Sequence, residues 1–461
     1  MVTVTRSKSS GKKARTRRSI KTYDAALRYL LTHTDYEQML RVRYNRDTFS
    51  LDRMAKLAKK LGNPHEKFRS VHIAGTKGKG STATMLARML QACGLKVGLY
   101  TSPHLCDIRE RIRVNGDQIT QAALARLIGT AEPHLDAMAE EKPTFFEIFT
   151  ALAFRHFADE KVDIAVIETG LGGRLDSTNI VLPEVVGLTS ISMDHTQQLG
   201  NTLTKIATEK AGIFKPDVAA VSVAQEPEVR RALRKVAKEK GIDLAFAGDD
   251  IEFSYRVESS REQGCHARIC LTTPRSRFEH LPVPLWGEHQ AVNCGLALAM
   301  LDQLKLRGFD LDDHKAVAGL KDLALPGRME MVSPDPRMLL DGAHNAASMA
   351  ALMRAIAQHI PYDSMVMIFG CGGDKDITGM MEQMATGADK VIFTRATNNP
   401  RAACPRELAE AYEEHTGRVA QVADSVCEAV RVAFNAVSRE DIICACGSFH
   451  LIGEIKQTVQ A

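Results

Sequence analysis

Residues Gly75-Thr76-Lys77-Gly78-Lys79-Gly80-Ser81-Thr82 put three glycines, two lysines and a run of hydroxyls into eight positions, the side chains from which a phosphate-binding turn is made. Glycine lacks a Cβ, so a chain turning at Gly75, Gly78 and Gly80 can bring successive N–H groups against phosphate oxygens at the positive end of a following helix. Lys79 would stand as a point charge between the outer phosphates. The spacing departs from G-x-x-x-x-G-K-[ST], because Gly80 separates the lysine from Ser81 and Thr82. A Gly-rich surface turn is the plain alternative, and the surroundings argue against it. Val71-His72-Ile73-Ala74 has the branching of a buried strand, and the segment from Ala83 to Leu90 is apolar at helical spacing, giving the order strand, loop, helix.

The elements that must position this loop recur along the chain. Strand patterns at 96–100, 162–167, 185–191 and 218–223 alternate with helical ones, which predicts an α/β fold with a mostly parallel sheet covered on both faces. Ligands of such sheets bind beyond the carboxyl ends of the strands. That rule gives weight to Ser102, Glu168, Asp194 and His195, each just past a predicted strand. Nucleotide phosphates need a hard cation, and Mg²⁺ prefers oxygen ligands with positions left for water and phosphate. Ser102, Glu168 and His195 could converge beside the loop, although imidazole is an uncommon magnesium ligand and the residue alone reads as a satisfied polar histidine. Glu168 opens a glycine-rich stretch in which Arg174, Asp176 and Asn179 offer polar handles to a substrate; a solvated loop could hold the same residues.

Before the first strand, helical spacing from Tyr23 to Leu61 ends at Gly62-Asn63-Pro64. The turn-rich stretch 251–285 predicts a small antiparallel addition, and Leu325-Pro326-Gly327-Arg328 reads as a hinge. Strand patterns at 338–340, 365–369, 391–394 and 442–445 then predict a smaller, Rossmann-like α/β domain with no phosphate loop of its own, suited to supplying a second substrate. The expected units are a disordered basic tail (1–20), a nucleotide domain (21–325) and a C-terminal domain (326–461).

Composition sets limits. The 461 residues, 44% apolar and 25% charged, suffice for two domains with substantial cores. The net charge of +4 is carried by eight basic residues between Arg6 and Lys21, with no acid before Asp24, so the remainder is mildly acidic and gives no argument for nucleic-acid binding. The tail is too poor in apolar residues to fold and lacks the apolar helical face of a transit peptide. No apolar run approaches a membrane span and no secretory segment is evident, so the expectation is a cytoplasmic protein without a membrane partner. Ten cysteines without C-x-x-C pairs read as reduced core thiols.

Taken in order, the motifs resemble those of the folylpolyglutamate synthase and dihydrofolate synthase family, ATP-dependent amide-forming enzymes related to the Mur ligases. The resemblance runs from about Tyr23 to the C-terminus. It rests on Gly75 to Ser81, Thr101 to Leu105, Glu168 to Asn179, Asp194-His195-Thr196, Glu209 to Ile213, Gly287 to Gln290 with Asn293, Pro326-Gly327-Arg328, Asp341 to Asn345, Asp374-Lys375-Asp376 and Gly447-Ser448.

The resemblance implies ATP held by Gly75 to Thr82, with Asn293, Arg328 and Asp341 reaching the nucleotide from the far side of a cleft. It implies that Ser102, Glu168 and His195 ligate Mg²⁺, against the plainer reading of the histidine. It also implies that Lys210, otherwise an ordinary helix-surface lysine, is carbamylated to hold a second Mg²⁺. His344 and Ser448 resemble residues that hold the incoming L-glutamate; Ser448 serves equally as a helix N-cap. Lys79, Lys210, Arg328 and His344 are the expected catalytic residues, Arg328 reaching the γ-phosphate on domain closure. The implied reaction activates a folate or dihydropteroate carboxylate as an acyl phosphate, in a monomeric enzyme. Lys77, Cys294-Gly295 and Phe449-His450 depart from the usual family residues, and the pterin contacts at 44–53 match loosely. Two other readings are a Mur-type ligase acting on a cell-wall precursor, disfavoured by the short segment before the loop, and a P-loop NTPase switch, which leaves the second domain's motifs without a role.

Overall fold

A computed structural model describes residues 20–39, 45, 48–260, 264–283, 285–321, 323–397 and 399–460. The basic tail, apart from Ile20, lies outside the described residues, as do Tyr44, Arg46 and Asp47 of the loosely matching stretch.

The branched residues around Val71 and Ile73 form the central strand of an eight-stranded sheet. In chain order its strands are β1 (Arg69–Ala74), β2 (Val97–Tyr100), β3 (Ile112–Val114), β4 (Asp117–Gln118), β5 (Ile164–Glu168), β6 (Val185–Leu188), β7 (Ala219–Ser222) and β8 (Leu244–Phe246). Their spatial order is β4-β3-β2-β5-β1-β6-β7-β8, with β2 through β8 parallel and the β3-β4 hairpin antiparallel at one edge. Val71 lies opposite Val166 on one side and Val185 on the other, so β1 is buried along both edges and both faces. The edge hairpin was not legible in the pattern, since two- and three-residue strands carry too little alternation.

The antiparallel addition expected at 251–285 is a three-stranded sheet of β9 (Glu252–Ser260), β10 (Gly264–Thr272) and β11 (Arg277–Val283), in the order β11-β10-β9. Its inner residues Ala267, Ile269 and Leu271 join Leu296, Met300 and Leu304 of the helix Glu288–Leu306 in one apolar core. On the other flank, the helix Tyr23–Leu30 buries Ala26 and Leu30 against the helix Gln121–Asp136, and the helix Leu51–Lys60 buries Met54 and Leu57 against the helix Phe145–Asp159.

The C-terminal domain is a six-stranded sheet: β12 (Glu330–Pro334), β13 (Arg337–Leu340), β14 (Met365–Phe369), β15 (Lys390–Phe393), β16 (Gln421–Val422) and β17 (Ile442–Cys446). The order is β12-β13-β17-β14-β15-β16, parallel except for the β12-β13 hairpin. All ten cysteines are free, but only Cys294, Cys371, Cys444 and Cys446 are buried, and Cys427 is exposed, so the reading of all ten as core thiols is corrected. Among the described residues no helix is long and apolar enough to cross a membrane.

Candidate active site

The phosphate loop is built by close approach. At Gly75 (φ 152°) a Cβ would come 1.8 Å from Thr189 Oγ1, and at Gly78 (φ 85°) one would come 2.1 Å from Asn293 Oδ1. Only glycine lets the loop pass between β6's continuation and the helix Glu288–Leu306. That continuation explains why the strand predicted to Ile191 stops at Leu188: Ser190 O accepts the N–H groups of Thr76 (2.9 Å) and Lys77 (3.2 Å), and Thr76 Oγ1 bridges the Ser192 N–H and carbonyl at 3.1 Å each. The following helix starts at Lys79, earlier than the apolar spacing indicated, with Gly78 as its N-cap. Its first-turn N–H groups, from Lys79, Gly80 and Ser81, lack intrahelical partners and are free for an anion.

One cavity of about 1110 Å³ lies between the two domains. Its walls bring together Thr76, Lys77, Gly78, Lys79, Gly80, Ser81, Ser102, Glu168, Asp176, His195 and Asn293 from the first domain with Arg328, Asp341, His344 and Ser448 from the second. Five predicted residues do not reach it. Gly75 packs against Thr189, and the Thr82 hydroxyl turns to Asn293 O (3.4 Å). Arg174 pairs with Glu209 (2.8 Å), and Asn179 Nδ2 donates to Arg174 O (3.1 Å) and Gly212 O (3.3 Å), so this pair fastens the glycine-rich loop to the neighbouring helix end. Lys210 lies behind the phosphate loop, its Nζ donating to Gly75 O at 2.6 Å. It is 4% exposed, which overturns the surface-lysine reading. Burial, aided by the Lys79 charge, brings its pKa down to about 7, so a neutral amine is accessible.

Glu168 is 4% exposed and receives the Ser102 N–H at 3.1 Å, with Lys79 Nζ 3.8 Å from its other oxygen. Burial pushes its pKa up against the pull of Lys79, so the carboxylate is short of positive charge. Burial also pulls His195 down to about 3, against Asp194, and leaves a neutral imidazole. Among the described residues no three His, Cys, Asp or Glu side chains cluster as a metal cage. A buried carboxylate, a serine hydroxyl and a neutral imidazole on one wall beside a phosphate loop fit Mg²⁺, which retains water and phosphate among its ligands.

On the far wall, Asp341 accepts N–H groups from Met329 (3.0 Å) and Ala343 (2.8 Å). The Arg328 guanidinium lies 4.7 Å above the Phe449 ring. His344 Nδ1 donates to Gly342 O (2.7 Å), and Ser448 Oγ accepts the Leu451 N–H (3.2 Å), so the serine caps the last helix and faces the cavity at once.

Several lining residues besides Asp194 were not singled out by type or spacing. Asp194 and Lys375 meet across the cleft at 3.1 Å; the Asp374-Lys375-Asp376 motif was the available signal for the lysine. Arg111, 2% exposed, is held by Glu37 (2.7 Å) and donates to His104 Nδ1 (2.9 Å). Beside this pair the wall turns apolar, with Leu27, Tyr36, Phe49, Ile108, Phe145 and Phe146.

A phosphate loop and a second domain enclosing one cavity define a Mur-type ligase, and two family models agree: the Mur ligase middle domain over residues 73–301 and the Mur ligase glutamate ligase domain over residues 327–449. The dihydrofolate synthase/folylpolyglutamate synthase of Bacillus subtilis is 33% identical over 416 residues, 89% of this chain and 95% of that protein. Mycobacterium tuberculosis folylpolyglutamate synthase, solved with ADP, superposes with a TM-score of 0.85 at 31% identity, covering 95% of this chain and 99% of that one. Escherichia coli FolC, solved with DHPP and ADP, gives 0.80 at 31% identity over 96% and 99%. The chain belongs to the folylpolyglutamate synthase and dihydrofolate synthase family, and is an ATP-dependent glutamate ligase.

Proposed function

We propose that this enzyme joins L-glutamate to the carboxyl group of dihydropteroate and of reduced folates through an acyl phosphate made from ATP. The observation that carries this reading is the single cavity walled by the phosphate loop on one side and by Arg328, Asp341, His344 and Ser448 on the other. At about 1110 Å³ it exceeds the usual room for one ligand, as a reaction of three substrates requires. The use of both acceptors is supported by relatives that carry both activities in their names.

The first-turn N–H groups of Lys79, Gly80 and Ser81, with the Lys79 ammonium, would bind the β- and γ-phosphates. Asn293 and Asp341 would orient the nucleoside. A carboxylate is a poor electrophile. Its oxygen attacks the γ-phosphorus, ADP departs, and the carbonyl carbon gains a phosphate leaving group. Lys79 and Arg328 would spread the charge developing on the transferred group. The glutamate amine, positioned by His344 and Ser448, then attacks that carbon, phosphate leaves, and the amine's proton is released. Ser102, Glu168 and His195 would hold Mg²⁺, which supplies charge neutralisation at the phosphates when bound. The burial of Lys210 supports the neutral form that adds CO₂ with loss of a proton; the resulting carbamate is an oxygen ligand suited to a second Mg²⁺ once it leaves Gly75 O. The apolar wall and Asp176 would receive the pterin.

Units of 21–325 and 326–461, hinged at Leu325 to Arg328, would close on the substrates and exclude water. One chain supplies both walls, so a monomer suffices. The test is phosphate release from ATP. It should require both glutamate and dihydropteroate or a reduced folate, and Lys79→Ala and Glu168→Ala should each abolish it. Equal ATP hydrolysis with and without either co-substrate would overturn the reading.

A further inference from the structure

His72 is an unexpected residue for the middle of a buried parallel strand. It is fully buried, lies opposite Ile167 and Val186, and takes no part in the chemistry described above. Its Nε2 is 2.8 Å from Thr178 Oγ1, and its Nδ1 has no hydrogen-bond partner among the described residues. Thr178, also fully buried, donates its hydroxyl proton to Asp176 Oδ1, and Asp176 is on the cavity wall. A line of hydrogen bonds thus runs from the core of the sheet to the active site.

We propose that His72 is a positioning residue, acting through Thr178 to hold Asp176 as an ionised hydrogen-bond acceptor toward the pterin substrate. A hydroxyl has one proton. Thr178 gives it to Asp176, so toward His72 it can only accept, and the imidazole proton must sit on Nε2. The reverse polarity would need a protonated Asp176 giving to Thr178, Thr178 giving to Nε2, and the imidazole proton on Nδ1. There it would be a buried donor with nothing to bond, which is the costlier orphan. The forward polarity leaves only a lone pair unpartnered.

Asp176 receives further donors that agree with the ionised form. Thr178 N–H reaches Oδ1 at 3.0 Å and Leu171 N–H reaches Oδ2 at 2.8 Å, so the carboxylate also ties the glycine-rich loop to itself. Burial pushes the Asp176 pKa up on balance, against the pull of these donors. Burial, reinforced by the Lys215 charge, holds His72 neutral with its pKa down at about 3. The carboxylate therefore offers acceptors, not a donor, and selects a ligand edge rich in N–H groups, as the amino-pyrimidinone edge of a pterin is.

This inference rests on the reading that Asp176 faces the pterin, and two experiments on the full-length enzyme separate the two. Nitrogen-15 shifts of selectively labelled histidine should show His72 as the neutral Nε2–H tautomer; an Nδ1–H tautomer or an imidazolium would overturn the relay while leaving the pterin wall standing. Steady-state kinetics should show that His72→Leu raises the KM for dihydropteroate about tenfold with the KM for ATP unchanged. His72→Gln, which keeps an N–H near the Nε2 position, should restore it to within about threefold. A Leu variant with KM values for ATP and dihydropteroate raised alike, or a Gln variant as impaired as Leu, would also overturn the relay. If Asp176→Asn leaves the dihydropteroate KM unchanged, the pterin wall itself is misassigned and the proposal falls with it.

Discussion

The Asp194 carboxylate of the first domain lies 3.1 Å from the Lys375 ammonium of the second. The same carboxylate accepts from Asn345 Nδ2 at 3.3 Å and stands 3.7 Å from His344 Nε2, so one side chain faces three polar groups of the opposite wall. Burial works against its charge, but the facing His344 imidazole and the Lys375 ammonium outweigh that and hold it well below the usual carboxylate range. Both partners of the ion pair are largely buried, at 8% and 13% exposure, so removing one strands the other. Lys375→Met and Asp194→Asn should each lower kcat/KM for glutamate about a hundredfold. The double variant should cost far less than the product of the two, because the stranded charge is gone. A multiplicative double variant would show that the pair does not act as a unit.

Gly78 combines a left-handed backbone with a close approach to the neighbouring helix, 2.1 Å from a would-be Cβ to Asn293 Oδ1. An alanine there meets the left-handed penalty of about 1–2 kcal/mol and must also displace Asn293. Gly78→Ala should therefore weaken ADP binding more than tenfold in calorimetry. Unchanged ADP affinity would mean the phosphates sit elsewhere.

Three histidines, His72 fully buried and His104 and His289 half-buried, shape the acid side of the stability profile. Burial holds His72 at about 3, and His104 and His289 at about 4, with Arg111 and Arg328 respectively adding to the effect. In the unfolded chain each binds a proton near pH 6.5. Between that value and the folded pKa the unfolded state holds more protons, so stability is undiminished above about pH 6.5 and falls as pH drops from there toward about 4. Each histidine contributes up to about 1.4 kcal/mol per pH unit in that window. Urea midpoints at pH 7.5, 6.0 and 5.0 should fall in that order, and less steeply in His72→Gln. A flat profile would mean that these imidazoles are charged in the fold.

Much of the fold was legible because branched strands and helical spacing report burial directly. β1, β2, β5, β6 and β7 lie within a few residues of their predicted ends, and the loop after β1 announced itself by glycine. What sequence could not convey was direction. Thr82 belongs to the motif by spacing, yet its hydroxyl faces the neighbouring helix, one position around from Ser81 on the cavity wall. Arg174 and Asn179 share a loop with Asp176 but turn toward Glu209 and Gly212. Lys210 looked like any lysine on a short helix, because its burial comes from Gly75, which is 135 residues away in the chain. The Asp194–Lys375 pair is 181 residues apart, and no local pattern encodes such a meeting.

Arg328 makes no ion pair among the described residues, and its guanidinium is instead seated 4.7 Å above the Phe449 ring. The ring reaches that place because residue 342 is glycine: a Cβ there would come 2.6 Å from the Phe449 ring and 3.2 Å from the arginine's own Nη1. A cation over an aromatic face is worth roughly 0.5–2 kcal/mol, enough to fix the direction of the side chain proposed above to meet the transferred phosphoryl group. Phe449→Leu keeps apolar volume but removes the quadrupole, and should lower kcat about threefold to thirtyfold with glutamate KM little changed. Phe449→Tyr keeps the ring face and should stay within about twofold. If Leu and Tyr behave alike, the ring serves as packing alone and Arg328 is directed by the phosphate it binds.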